Sequence, residues 1–203
     1  HRSNTNLAFV ADSFIYRTTN LLNTIPAWTQ IAALGKIIKA MHVAYSDPNR
    51  LYIITNDGQI HVSANALSAT PTFTSYALPN STNNQASITT IKNAPGTVYV
   101  TCNTKVYRST NFGATWSNIT YNLPSFNHIK IIADEFFPLN EVVLLATGSA
   151  VYFKTQNATT WTLYNQNLPT RPEGIDLSIY NDSTANTVLR MATYGRGMWE
   201  TPI

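Results

Sequence analysis

A repeat of about 45 residues runs along the chain and constrains the fold more than any other feature. A branched apolar residue occupies the second position of four similar segments, at Ile15, Ile60, Val106 and Val151. These positions are 45, 46 and 45 residues apart, and an aromatic residue follows each of them at nearly the same spacing, at Trp28, Phe73, Trp116 and Trp161. A period of this length predicts a protein built from repeated supersecondary units.

Each unit contains four short runs of β-branched and aromatic residues with turn residues between them. Residues 87–120 are typical, with the runs "SITTIKN", "TVYVTC", "KVYRST" and "TWSNIT". Gly58 in "TNDGQ" and the two glycines of "TYGRG" supply the backbone freedom that tight hairpin turns require. Four antiparallel strands in a unit of this length predict a β-propeller blade, and hence an all-β fold.

The phase of the repeat predicts one propeller segment over residues 1–203, with about five units. Three units are complete, at about 36–79, 85–124 and 127–169, and two are partial, at 7–32 and 174–201. With strands A to D counted outward from the axis, the first unit lacks A and the last lacks D. Because an absent inner strand leaves backbone groups without partners, we expect upstream blades of a longer propeller. A compact ring of five blades is the alternative.

The segment "STNFGATW" (109–116) falls between strands C and D of the unit at about 85–124. Ser109 and Asn111 are suited to hydrogen bonds with nearby backbone amides, and Gly113 permits a left-handed backbone. Trp116 is expected to anchor strand D between two blades. Similar but less regular segments recur at 18–28, 63–73 and 154–161, which favours a structural turn over a ligand site.

This segment resembles the Asp-box, Ser-x-Asp-x-Gly-x-Thr-Trp, of the BNR-repeat propeller families, with Asn111 in place of the usual Asp. Those families include sialidases, xyloglucanase-like glycoside hydrolases and sortilin-type propellers. The closing "ATYGRGMWETPI" is similar to the last blade of secreted bacterial BNR proteins. The resemblance implies the C-terminal part of such a protein, and it implies a fold much more strongly than an activity.

Composition narrows the classes of partner. The 13 Lys and Arg residues are scattered singly, so the net charge of +3 does not indicate nucleic acid binding. No apolar run is long enough to predict insertion into a membrane, and a charged fraction of 11% is more typical of secreted proteins. Cys102 stands alone and the four histidines lack metal-ligand spacing, so we expect no metal site and no cofactor.

A glycoside hydrolase of the usual kind needs two carboxyl groups on either side of the sugar. The candidates are Asp134 and Glu135, which follow the inner strand of the fourth unit, and Asp176, which opens the inner strand of the fifth. No spacing pairs these acids, so a catalytic role is not favoured. A sialidase is also disfavoured, because Arg17 and Arg108 occupy equivalent repeat positions rather than converging on one site.

The B–C turn of the last unit departs from its counterparts. It offers Tyr194 and Arg196, with Trp199 on the strand that follows, where the other units carry small polar residues. An exposed aromatic ring beside an arginine can stack on a sugar, whereas packing within the closing blade is the structural alternative.

The sequence therefore predicts a non-catalytic binding or scaffold propeller of a secreted, multidomain bacterial protein that engages a glycan or a protein at the cell surface. One alternative is part of a xyloglucanase-like glycoside hydrolase whose cleft needs upstream blades. Another is a sortilin-like interaction or assembly propeller.

Overall fold

A computed structural model describes residues 1, 3–80, 86–134, 141–164, 166–168, 174–181 and 187–203. Their eighteen strands form five antiparallel sheets, each named here as a blade. Blade 1 has β1 (Ala8–Ala11), β2 (Phe14–Thr18) and β3 (Thr29–Ala33), and blade 2 has β4 (Ile38–Val43), β5 (Leu51–Thr55), β6 (Gln59–Ser63) and β7 (Thr74–Ala77). Blade 3 has β8 (Ala86–Ile91), β9 (Ala94–Cys102), β10 (Lys105–Ser109) and β11 (Ser117–Asn118). Blade 4 has β12 (His128–Ala133), β13 (Val142–Thr147), β14 (Val151–Thr155) and β15 (Thr162–Tyr164), and blade 5 has β16 (Gly174–Asn181), β17 (Thr187–Thr193) and β18 (Met198–Pro202).

The prediction of an all-β propeller with four-stranded antiparallel blades is confirmed. Blades 2, 3 and 4 contain four strands each, and blades 1 and 5 contain three. The inner strands β4, β8, β12 and β16 lie side by side around a central channel, since β8 contacts both β4 and β12, and β12 contacts β16. In the part of the chain that is described, no helix is long and apolar enough to cross a bilayer.

Apolar side chains fill the seams between neighbouring blades, because alternate residues of a strand point to opposite faces of its sheet. The seam between blades 3 and 4 is an example, where Tyr99 and Val106 of one blade pack with Ile131, Leu145 and Trp161 of the other. Similar clusters lie between blades 1 and 2, 2 and 3, and 4 and 5. The repeat thus buries two faces of each central blade.

Hydroxyl side chains of β8 accept hydrogen bonds from backbone amides on the inner edge of β12, which pairs only with β13 in its own blade. The Ile131 amide donates to Ser87 Oγ at 3.1 Å, and the Ala133 amide donates to Thr89 Oγ1 at 3.2 Å. Both acceptors come from β8 of the adjacent blade and are buried. These bonds join the inner edges of blades 3 and 4 where a ladder bond is not available.

We expect the substitution Thr89→Val to lower the free energy of unfolding by about 1–3 kcal/mol, because it keeps the shape and leaves the buried Ala133 amide without its acceptor. Urea denaturation measures this change. The matched substitution Thr74→Val lies on exposed β7 and should change the same free energy by less than about 0.5 kcal/mol. Equal losses in the two variants would contradict this role for the Thr89 hydroxyl.

Candidate functional site

The blades present two ends, which we name by their turns. The B–C face carries the turns between strands B and C of the repeat (β1 and β2 in blade 1, the second and third strands in blades 2 to 5), together with the first residues of the inner strands. Two hydrogen bonds place them together, from the Ile38 amide to Asp12 O at 3.0 Å and from the His128 amide to Asn103 O at 2.8 Å. The C–D face carries the A–B and C–D turns, as the bond from the Ala66 amide to Asn49 O at 3.0 Å shows.

The hairpin of blade 5 presents the predicted aromatic residues on the B–C face. Tyr194 is 74% exposed and Trp199 is 37% exposed, and Met198, which directly precedes Trp199, is also exposed to solvent. The equivalent turns of blades 1 to 4 carry small polar residues, for example Asp12 and Ser13. The exposed aromatic surface of residues 194–199, named here the aromatic hairpin, is therefore particular to blade 5.

Backbone geometry holds this hairpin in one conformation. Gly195 and Gly197 have φ angles of +76° and +75°, which side chains with a Cβ atom rarely adopt. The Thr193 amide and Oγ1 both donate to Gly197 O, at 3.0 and 2.7 Å, and the Trp199 indole donates to Arg196 O at 3.1 Å. The hairpin itself thus fixes the orientation of the Trp199 ring.

The mouth of the central channel lies beside this hairpin. Asp176 lies opposite Ala192 in the sheet, and Ala192 precedes Tyr194 by two residues. The Asp176 carboxylate forms an ion pair with Lys130 Nζ at 3.0 Å. Lys39 of blade 2 lines the same cavity, whose volume is about 340 Å³. The structure therefore brings Asp176 and the aromatic hairpin to one end of blade 5.

The acidic candidates do not form a pair across a cleft. Asp134 follows β12 and is buried, four residues beyond the Lys130 that holds Asp176. Asp134 thus lies at the end of its inner strand, whereas Asp176 lies near the start of β16, so the structure places these two acids at opposite ends of neighbouring inner strands. Glu135, the third candidate, lies outside the described residues.

A polar cluster that sequence reasoning missed lies in the seam between blades 3 and 4, at the C–D face. Arg108 binds Glu141 with two hydrogen bonds, of 2.7 Å from Nε and 3.0 Å from an Nη, and the Tyr99 hydroxyl donates to the same carboxylate. Burial first, and then the hydrogen bond with Glu141, raises the pKa of Tyr99. Because Tyr99 is only 1% exposed, this cluster holds two blades together and offers no site for a substrate.

Arg17 occupies the repeat position equivalent to Arg108 and also reaches into the next blade. It donates from Nη1 to the Ala66 and Ser68 carbonyls, at 2.7 and 2.9 Å. The two arginines therefore contact different seams, and among the described residues they do not converge on one pocket.

The segment 109–116 forms a turn held by its own side chains. The Asn111 and Gly113 amides donate to Ser109 Oγ, at 3.2 and 2.9 Å, and the Thr115 amide donates to Asn111 Oδ1 at 2.9 Å. Gly113 has a φ of +88°, and the Trp116 ring packs in the cluster between blades 2 and 3. Each residue of the motif thus makes a local contact that the turn requires.

The same bonds recur in two sister turns. In blade 1 the Ala27 amide donates to Asn20 Oδ1 at 2.9 Å, and in blade 2 the Thr72 amide donates to Asn65 Oδ1 at 2.9 Å. In blade 4 Lys154 replaces the serine, and its ammonium donates to the Thr155 and Gln156 carbonyls. The side chains at this repeat position serve the turn in every one of these blades.

Groups of three or more His, Cys, Asp or Glu residues that could hold a metal ion are not found among the described residues. Cys102 is fully buried, and burial raises the pKa of its thiol to about 12, so it stays protonated at neutral pH. Among the described residues of this face, the aromatic hairpin and the channel mouth are open to solvent.

Comparison with known families and structures gives three findings. The profile of the family described as "DUF6242 beta propeller domain" matches residues 26–200. No curated protein sequence matches the chain. Among solved structures, an ancestral GH74 enzyme is similar with a TM-score of 0.72 and 18% identity over 97% of this chain and 29% of that one.

Two further structures share the fold. YCF48 bound to D1 peptide is similar with a TM-score of 0.63 and 12% identity, over 96% of this chain and 60% of that chain. The nidogen/laminin complex gives a TM-score of 0.63 and 13% identity, over 92% of this chain and 70% of that chain. The chain thus spans less than two thirds of the GH74 enzyme and of YCF48, and at these identities the likeness concerns the fold.

Proposed function

Starting from the membership of this chain in the DUF6242 β-propeller domain family, we propose that it is a non-catalytic binding propeller of a secreted bacterial protein that engages a glycan at the cell surface. The observation that carries the proposal is the aromatic hairpin of blade 5, with exposed Tyr194 and Trp199 next to Arg196. The low charged fraction of 11% supports an extracellular location.

The chemistry of the hairpin suits a sugar. The faces of aromatic rings offer flat apolar surface to the C–H groups of a pyranose, while polar groups at the ring edges bind its hydroxyls. Lys39 and the Lys130–Asp176 pair at the channel mouth supply such polar groups on the same face. A chain of several sugar units laid across blade 5 toward the channel contacts both sets.

The substitution Tyr194→Ala is expected to weaken glycan binding about tenfold, since a stacked aromatic ring contributes roughly 1–1.5 kcal/mol. Affinity electrophoresis against a polysaccharide panel measures this loss on the glycan that the unmodified protein retains most strongly. The control Tyr180→Ala removes another exposed tyrosine of blade 5, which stacks on Arg190 and lies outside the aromatic hairpin. Absence of retention on every glycan, or equal loss in both variants, would contradict the proposal.

Protein binding is a second candidate, in the manner of an interaction or assembly propeller. It is supported by two similar structures, YCF48 bound to D1 peptide and the nidogen/laminin complex. Immobilised protein exposed to cell-surface extracts tests it, with the Tyr194→Ala variant as the comparison. Capture of one protein by the unmodified chain and not by the variant, without glycan retention, favours this candidate.

A glycoside hydrolase whose cleft includes other blades is the third candidate, suggested by the likeness to the GH74 fold. The placement of Asp134 and Asp176 at opposite ends of neighbouring inner strands weighs against it, because a glycosidase needs two carboxyl groups on either side of one sugar. Release of reducing ends during the polysaccharide assay, lost in an Asp176→Asn variant, would favour it.

A further inference from the structure

Residues 1 and 3–7 form the same turn as residues 44 and 46–50, although the two segments share few side chains. Each turn closes with the same backbone and side-chain bonds at equivalent positions. In the first turn these run from Leu7 N to Asn4 O (3.0 Å), from Asn6 N to Asn4 Oδ1 (3.1 Å) and from Asn4 N to His1 O (3.0 Å). In the second they run from Arg50 N to Asp47 O (3.0 Å), from Asn49 N to Asp47 Oδ1 (3.0 Å) and from Asp47 N to Ala44 O (3.3 Å).

The two turns also contact the C–D turn of their own blade in the same way. The Asn6 carbonyl accepts from Leu21 N, as the Asn49 carbonyl accepts from Ala66 N, each at 3.0 Å. The two Asn side chains then accept from the next residues, Leu22 N and Leu67 N, each at 3.2 Å. Five kinds of bond thus occur in both turns.

The second turn joins the inner strand β4 to β5. Ala44 directly follows β4, and its amide donates to Arg50 O at 2.9 Å to close the end of that ladder. His1 takes the place of Ala44, and its nitrogen donates to Leu7 O. The described residues of this first turn therefore have the geometry of a turn that an inner strand enters.

A groove of about 390 Å³ lies where that strand would run. One wall is the edge of β1 at Ala8 and Phe9, which no strand pairs in the described part of the chain. The other wall is β4, with Met41 and Val43 directed toward blade 1. His1 lies at the groove and contacts Ala44 O through Nε2 at 3.0 Å.

We propose that an inner strand of about six residues, directly before His1 in the same polypeptide, occupies this groove and completes blade 1. It runs antiparallel to β1, with its last residue opposite Ala8, as Val43 lies opposite Leu51 in blade 2. Its second and fourth residues counted back from His1 face β4, as His42 and Ala40 face β8. Those two positions take side chains that pack on Met41 and Val43.

The proposal predicts the effect of adding such a strand. We fuse a copy of residues 38–43, "IKAMHV", directly before His1. The fusion is expected to slow hydrogen exchange of the β1 amides that face the groove at least about tenfold, and to raise Tm. Exchange measured by NMR at Ala8–Ala11 reports the pairing, and the edge of β18 is the internal reference. A fusion of six Gly and Ser residues controls for chain length.

Unchanged exchange at Ala8–Ala11 in a folded fusion, or protection at β18 in its place, would overturn the proposal. Should the fusion fail to fold, a synthetic peptide of residues 36–45 is added at about 1 mM to the 203-residue chain and read by the same amides. Absence of protection there likewise overturns it. The result is independent of glycan binding, since the groove and the aromatic hairpin belong to different blades.

Discussion

Replacing Trp161 with alanine is expected to lower the free energy of unfolding by about 3–5 kcal/mol. The ring is 3% exposed and packs in the seam between blades 3 and 4, so its removal leaves a large cavity. Its indole also donates to Ile119 O at 2.8 Å, which would lose its donor. Chemical denaturation followed by far-UV circular dichroism measures the loss.

The repeat provides a matched control at Trp28, which has the same phase as Trp161 in blade 1. Trp28 is 41% exposed, because in the described structure no blade packs on the face of blade 1 that points away from blade 2. Trp28→Ala should therefore cost about 1 kcal/mol or less. A loss as large as that of Trp161→Ala would show that the position in the repeat, and not burial in a seam, determines the contribution of the ring.

The backbone around Trp161 explains why the seam holds this residue in register. The Asn122 side chain of blade 3 accepts from the Trp161 amide at 2.7 Å and donates to its carbonyl at 3.0 Å. This pair of bonds links the end of blade 3 to the start of β15 in blade 4. Packing and hydrogen bonding thus act on the same residue.

The strands were predictable because each depends on a local pattern. Alternating β-branched and aromatic residues, with Gly58 in "TNDGQ" and the two glycines of "TYGRG" at the turns, indicate short antiparallel strands. The phase of Ile15, Ile60, Val106 and Val151 then sets the same strand in four blades. All four lie in strand C of the repeat, which is β2 in blade 1 and the third strand in blades 2, 3 and 4.

Contacts between blades were not predictable from the same pattern. Tyr99, Arg108 and Glu141 meet although 33 residues separate the arginine from the carboxylate, and Lys130 of β12 pairs with Asp176 of the neighbouring inner strand β16. Such pairs depend on how two sheets pack, and no local period encodes that. The equivalence of residues 1 and 3–7 with residues 44 and 46–50 was missed for a related reason, since backbone bonds carry it and few side chains are shared.

The candidate site was found in part because blade 5 breaks the pattern of its neighbours. Tyr194 and Arg196 stand where other blades have small polar residues, and that departure was visible in the sequence. The position of Asp176 beside the same hairpin was not visible, because it follows from the register of β16 with β17. Catalytic roles for Asp134 and Asp176, and ligand binding at the hairpin, remain predictions.

Histidine burial gives the second large effect, a loss of stability in mild acid. His128 is fully buried in the described structure, and neither ring nitrogen makes a hydrogen bond of normal geometry there. Burial lowers the pKa of His128 from 6.5 to about 4, although backbone groups of Lys105 and Pro124 near the ring favour the charged form. The native protein therefore holds this imidazole neutral at pH values where the unfolded chain protonates it.

The sign follows from linkage. Between pH 6.5 and pH 4 the unfolded state binds a proton at His128 that the native state does not, so stability falls as the pH falls. The two pKa values of His128, in the unfolded and the native state, differ by about 2.5 units, which corresponds to about 3 kcal/mol of stability. The protein has this stability in full above pH 6.5 and has lost it by about pH 4. The hydrogen bond with Thr55 lowers the pKa of Asp57, so the stability that this carboxylate contributes is lost only in stronger acid.

The variant His128→Leu removes this titration while it fills the same buried space. Urea denaturation at several pH values should show that the unmodified protein loses about 3 kcal/mol more than the variant between pH 7 and pH 4. The comparison variant His61→Gln should keep most of the slope, because His61 is only partly buried and Asp57 opposes the lowering of its pKa. Parallel pH profiles for the unmodified protein and His128→Leu would mean that the buried imidazole takes up its proton without unfolding, in a seam open to water.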